Sequence, residues 1–209
     1  MRLPKDWGQV TLKQYIKLSK IDPELEDMDR HVKTISILSG EPEIKVWDLS
    51  LSFIKQAIAK TKFIYSQPES KGVRTSIRIK GNRFHIDNNV RHICGGEYID
   101  LTSFLKEKDK ITDNLPHILA IFFKPVNFLG LKKKRHYRKN DKGILIQTLE
   151  SRNETAKLLE EHLTMDIAMG LSAFFLKNWE ASIKAIQDYS IGEMEKQTKK
   201  VKKIMKKVL

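Results

Sequence analysis

Cysteine is almost absent, with Cys94 the only one in 209 residues. No disulfide can form within the chain, so nothing in it calls for an oxidising compartment. Proline and glycine are scarce as well, at six and ten residues, which excludes a collagen-like or low-complexity chain. No stretch approaches the ~20 consecutive apolar residues of a membrane span. The longest apolar runs, such as Ile118 to Phe123, suit buried helices instead. The opening residues, Met1 to Trp7, carry no apolar run of the secretory kind. The expectation is a protein made and kept in the cytoplasm, with no membrane partner.

Apolar residues make up 40% of the chain and charged residues 31%, a balance that supports a folded core. The length fits one large domain, or one domain with a helical extension. The net charge of +13 is unevenly placed. Lys132 to Lys142 holds seven Lys or Arg and one Asp, a net +6. Glu193 to Leu209 holds seven Lys and two Glu, a net +5. The rest is nearly neutral, so the charge pattern describes a balanced globule with two basic appendages that favour anionic partners.

Thr11-Leu-Lys-Gln14 has the spacing of a capping box, followed by an apolar helical face of Leu12, Tyr15, Ile16 and Leu18. A second helix is predicted from Asp27 to Ser39, with Val32, Ile35 and Leu38 as its stripe and Gly40 just past its end. Pro42 starts a short turn through Trp47, and a third helix runs from Ser50 to Ile64 with Leu51, Ile54, Ile58 and Phe63 inward. The period then changes to two. Thr75 to Ile79 and Arg83 to Asp87 read as a hairpin about a Gly81-Asn82 turn. With Lys80 opposite Arg83, Ile79 faces Phe84 and Ile77 faces Ile86. All four then share one face, with Arg78 and His85 on the other. Glu97 to Asp100 is a candidate third strand leading into a helix over Leu101 to Glu107. Asp113 is a candidate cap for a buried helix with Leu115-Pro116 in its first turn and Pro125 at its end. Further helices are expected from Glu154 to Leu163, capped by Asn153, and beyond Thr164, with Ile167, Leu171, Phe174, Phe175, Trp179, Ile183 and Ile186 on the core side. The fold class is α+β and predominantly helical. It has a helical N-terminal part (1–66), a β-hairpin region (73–100), and helical stretches over 101–126 and 144–190 flanking a basic loop (127–143). Residues 1–190 form one domain, and 191–209 a long basic amphipathic helix.

Little here supports catalysis. A zinc site needs about four Cys or His ligands at paired spacings, and His92-Ile-Cys94 has no second half. A nucleophilic Cys94 needs a base, for which His85 or His92 is the candidate, but nothing else marks a catalytic cysteine. Gly95-Gly96 lacks the Lys-Ser/Thr of a phosphate loop. No catalytic residue, metal ligand or cofactor is expected, and the chain is not read as an enzyme. Two segments are candidates for binding. Lys132, Lys133, Lys134, Arg135, Tyr137, Arg138 and Lys139 bring cations and one aromatic ring together, suited to an acidic protein surface or to phosphates and a stacked base. In the last helix, Met194, Val201 and Val208 lie seven apart with Ile204 and Met205 beside them, a narrow seam flanked by Lys. That seam suits docking on a protein, with self-association among the outcomes.

The order of these pieces resembles proteins of tailed-bacteriophage structural gene clusters, including tail-assembly-chaperone-like proteins. The matching stretches are Asp6 to Tyr15, Ile35 to Gly40, the Gly81 hairpin, Gly96 to Leu101, Asn114 to Ala120 and Met165 to Phe175. The likeness is one of helices and turns, and it transfers no active-site residue. It implies a virion or tail morphogenesis protein, an assembly chaperone or adaptor whose partners are other phage structural or assembly proteins. Its place would be the host cytoplasm during assembly. The alternative is a virion-associated or non-specific nucleic-acid-binding protein that uses the basic loop and tail. On either reading Cys94→Ser leaves binding intact with a modest change in stability. Partner recovery and thermal unfolding of the variant check this, and loss of binding by a folded variant contradicts it.

Overall fold

Thr11 starts the first helix in the expected way. In the computed structural model its hydroxyl accepts the Gln14 N–H at 3.3 Å, and Gln14 Oε1 accepts the Thr11 N–H at 2.9 Å. The structure describes residues 1–68, 75–87, 93–127, 129, 131, 137–139 and 145–173, with 137–139 and 145–147 as backbone. The helix so capped is α1 (Leu12–Ser19). Gln14 also donates through Nε2 to the carbonyls of Ile37 and Leu38, at 3.2 and 3.1 Å. These lie in the last turn of α2 (Asp27–Ser39), where helix carbonyls lack intrahelical donors. Gly40 follows in the left-handed region, φ 77°, which ends α2 as expected.

Two short helices complete the N-terminal part, α3 (Glu43–Trp47) and α4 (Leu51–Lys60). The Ser50 hydroxyl caps α4 by accepting the Phe53 N–H at 3.3 Å. Val32, Ile35, Val46, Ile54 and Ala57 form one buried cluster, with Leu3, Met28, Leu49 and Ile58 packed on it. Leu51, expected inward, is exposed. Periodicity gives a side chain its direction, but burial also needs a neighbour for that turn, and Leu49 fills the place on this cluster. The helix also stops at Lys60, four residues short of Ile64, and continues as a 3-10 turn over Lys62–Tyr65. Trp7 holds this end, edge-on to Tyr15 at 5.9 Å and to Phe63 at 5.5 Å, with Nε1 donating to the Ser66 carbonyl.

The middle of the chain is a three-stranded antiparallel sheet ordered β1 (Ser76–Ile79), β2 (Asn82–Ile86), β3 (Phe123–Val126). The hairpin turn is Lys80-Gly81, one residue earlier than predicted. Both residues have positive φ, 46° and 77°, as a type I′ turn requires, with glycine at its second position. Ile77 therefore faces Phe84, not Ile86, and Ile79 faces Asn82. The slip moves each partner by two residues, so the faces survive. Ile79, Phe84 and Ile86 are buried and Ile77 half-buried, while Arg78 and His85 are exposed.

The third strand is not Glu97 to Asp100. Those residues lie in α5 (Gly95–Lys106), where Glu97 stands in the first turn and its Oε2 accepts the Cys94 N–H at 3.1 Å. That bond secures a helix start, so the strand reading of Glu-Tyr-Ile-Asp loses to a cap. The strand is supplied by the segment after α6 (Ile111–Phe122), with no loop between them. Helix α6 begins before Asp113, leaving Pro116 at its sixth position rather than in its first turn. Asp113 is not its cap but an ion-pair partner of Lys20 at 2.8 Å. Pro125 biases Lys124 to extended backbone, and β3 tolerates proline because it is an edge strand.

The basic stretch also differs from its prediction as a loop. Tyr137–Lys139 forms β4, paired antiparallel with β5 (Leu145–Gln147). Helix α7 (Leu149–His162) starts five residues before the predicted Glu154, because Thr148 takes the cap that was assigned to Asn153 and accepts the Ser151 N–H at 3.2 Å. Residues 165–173 are helical, with Met165, Ala168 and Leu171 buried. Between these helices the chain closes on its own beginning. The Leu12 N–H donates to the Leu163 carbonyl and the Met165 N–H to the Val10 carbonyl, both at 2.8 Å. The protein is thus mostly helical with a small antiparallel sheet in the middle, and Met1–Ser172 forms one compact unit. The predicted features from Phe174 onward, including the 190/191 boundary, lie outside the described residues.

One charged pair sits inside this packing. Lys124 Nζ donates to Glu97 Oε1 at 2.7 Å, with side chains only 9% and 3% exposed. Removing one member of such a pair costs about 3–5 kcal/mol, because the other is left buried and uncompensated. Glu97→Gln keeps an acceptor for the Cys94 N–H and removes only the charge. It is expected to destabilise by roughly that amount, and adding Lys124→Met is expected to restore most of the loss. Urea unfolding of both single variants and the double variant measures this, and additive losses would contradict it.

Candidate docking face

Helix α3 is too short to bury more than one side. Val46 enters the core, so Ile44 and Trp47, one turn apart on the side away from it, remain outside at 67% and 45% exposure. Leu51, the first residue of α4, adds a third apolar side chain at 54% exposure. Three large apolar residues thus stand in solvent within eight consecutive positions. Isolated exposed apolar residues are ordinary, but a local concentration that includes Trp is the composition of a protein interface.

The other flank of α4 borders a groove. Phe53, Ala57 and Lys60 follow one another at helical spacing and face the first residues of the chain, with Leu3, Pro4 and Lys5 on the opposite wall. The groove encloses about 340 Å³, and no acidic residue lines it. From Leu49 to Pro68 the chain carries three Lys and no Asp or Glu. Among the described residues neither Lys5 nor Lys60 forms an ion pair, whereas Lys20, Lys45 and Lys110 pair with Asp113, Glu41 and Glu107.

The segments singled out from sequence are placed only in part. Tyr137, Arg138 and Lys139 have their backbone in β4, opposite Gln147, Ile146 and Leu145. Lys132, Lys133, Lys134 and Arg135 lie outside the described residues, as do Met194, Val201, Ile204, Met205 and Val208. His92 is outside them as well. Cys94 is half-buried just before α5 and His85 is on the exposed face of β2. No group of three or more His, Cys, Asp or Glu among the described residues is arranged to hold a metal. None of the described helices is long and apolar enough to cross a membrane.

The exposed apolar set on α3 and α4 is not anticipated by the sequence pattern, in which Trp47 ends a turn and Leu51 points to the core. Two signals pointed to it. Ile44 and Trp47 lie one turn apart on the side of α3 away from Val46, so a five-residue helix that buries Val46 leaves both outside. The acid-free run after Asp48 also marks a surface with its own charge character. Comparison with protein-family models, with curated proteins and with solved structures finds no match for this chain.

Proposed function

We propose that the chain is a binding protein of tailed-phage morphogenesis, an assembly chaperone or adaptor that holds another phage protein on the α3–α4 face. The observation that carries the binding part is the exposed set Ile44, Trp47 and Leu51, with its aromatic anchor, on a folded unit. The phage part is supported by the resemblance of Asp6 to Tyr15, Ile35 to Gly40 and the other stretches named above. Among the described residues no group of His, Cys, Asp or Glu is arranged to hold a metal, and the reading needs none. Ser50 caps α4, and Thr11 caps α1, which packs on α2, the helix that carries both α3 and α4. The test is recovery of partner proteins from phage-infected cells after nuclease treatment. Ile44→Asp with Trp47→Asp is expected to lower recovery by about 30-fold or more, the effect of losing one interface hot spot. Ile44→Asp alters stability by about 0.5 kcal/mol, Trp47→Asp by more because that side chain is only 45% exposed, so recovery is read on variants shown to be folded by circular dichroism. Unchanged recovery by this variant contradicts the reading.

A second reading rests on the net +6 of Lys132 to Lys142 and on the pairing of Tyr137–Lys139 into a hairpin. It is non-specific nucleic-acid binding, with the basic C-terminal segment as a second contact. About six phosphate contacts by Lys132, Lys133, Lys134, Arg135, Arg138 and Lys139 give a slope of log K against log salt near −5 on duplex DNA. Changing Lys132, Lys133 and Lys134 to Gln flattens that slope by about 3. A salt titration of DNA binding checks both values. DNA retention and salt slope unchanged by this variant contradict the second reading, and loss of an acidic protein partner by it assigns the basic stretch to protein docking instead.

A further inference from the structure

The groove beside α4 has a definite chemistry. Its floor is apolar, from Leu3, Pro4, Phe53 and Ala57, and its two cations, Lys5 and Lys60, are on the lining itself. We propose that it takes an acidic segment of a partner protein, with one apolar side chain inserted against Phe53 and carboxylates set on Lys5 and Lys60. The inference rests on the protein-binding reading and names the partner's chemistry.

Charge complementarity selects this occupant. What sets Lys5 and Lys60 apart from other exposed lysines is that both line one groove whose lining holds no acidic residue. Neither has an ion-pair partner among the described residues, and the α4 segment offers none, since no Asp or Glu lies between Leu49 and Pro68. A carboxylate placed there from outside meets two uncompensated cations beside a low-dielectric floor, where the attraction exceeds that at a fully wet surface. A second copy of the chain brings a net charge of +13 and is disfavoured by repulsion. A phosphate backbone satisfies the lysines but leaves the apolar floor uncovered. The volume of about 340 Å³ is at the small end of ligand pockets, which are about 300–1,000 Å³. It fits an inserted side chain better than a whole folded element.

The test is selection of displayed random peptides of about twelve residues on the immobilised full-length chain. Counter-selection uses a Phe53→Glu, Lys60→Glu variant, which keeps the other basic segments and so removes peptides held by them. The retained peptides are expected to combine Asp or Glu with a Leu, Met, Phe or Trp. Synthetic copies are expected to bind the wild type about tenfold or more tighter than the variant. Lys5→Glu with Lys60→Glu, which leaves the apolar floor untouched, is expected to turn the selection toward Lys- and Arg-bearing peptides. Groove-dependent peptides that are neutral or basic overturn the acidic partner and leave a docking groove. Absence of groove-dependent peptides overturns the groove as a site. The protein-binding reading stands or falls separately, on the Ile44 and Trp47 variant. Self-association of the wild type that Phe53→Glu abolishes, read by sedimentation, overturns the proposal in favour of a second copy.

Discussion

A lysine amine shut away from water decides how the middle of this protein is put together. Leu115 to Val126 is buried at every position but His117, and Lys124 lies within that run. An ammonium group there has to meet a carboxylate, and Glu97 is the one it meets. Glu97 is itself committed to the start of α5 through the Cys94 N–H. One carboxylate therefore sets the phase of a helix and its position over β3 at once. A hydrophobic contact in the same place would tolerate sliding, whereas an ion pair with both members buried has a single register. The sheet inherits that definition, because β3 fixes β2 and β2 fixes β1.

Polar side chains with more than one partner organise the N-terminal part in a similar way. Gln14 completes a cap on α1 and closes the carbonyl end of α2. Trp7 packs on Tyr15 and Phe63 and donates to the backbone at Ser66, joining the first residues to the end of α4. The outer faces of α3 and α4 are then left as supported but uncovered surface. Its three exposed apolar side chains do not compete for a core already filled by Val32, Ile35, Val46, Ile54 and Ala57.

Local patterns were legible in the sequence wherever a few neighbouring residues decide the outcome. The Thr11 cap, the Val32 stripe, the Gly40 stop and the inward face of the hairpin are of this kind. Failures came where a distant residue decides. Glu-Tyr-Ile-Asp at 97–100 alternates like a strand, and only the cap bond and the amine of Lys124, 27 positions away, make it a helix. The strand that replaces it carries a proline, which counts against a strand until its edge position is known. Leu51 has a core residue's spacing but no neighbour to bury it. Thr148 and Asn153 are both acceptable caps by type, and the choice between them follows the end of β5 at Gln147. The exposed apolar set on α3 and α4 is a case of the same rule, since exposure of Trp47 is a property of the whole packing.

The short ladder joining Val10 and Leu12 to Leu163 and Met165 gives the fold an order in time. During synthesis the edge at Val10 and Leu12 emerges well before its pairing partners Leu163 and Met165. At about 5–20 residues per second the interval is on the order of ten seconds. Contacts so far apart along the chain slow the final closure, since loop entropy must be overcome before they form. The nascent protein thus passes through a period with the seam open and the eight-residue α1 without the packing that a helix so short needs. The unit closes only once Leu163 and Met165 have emerged to pair with that edge.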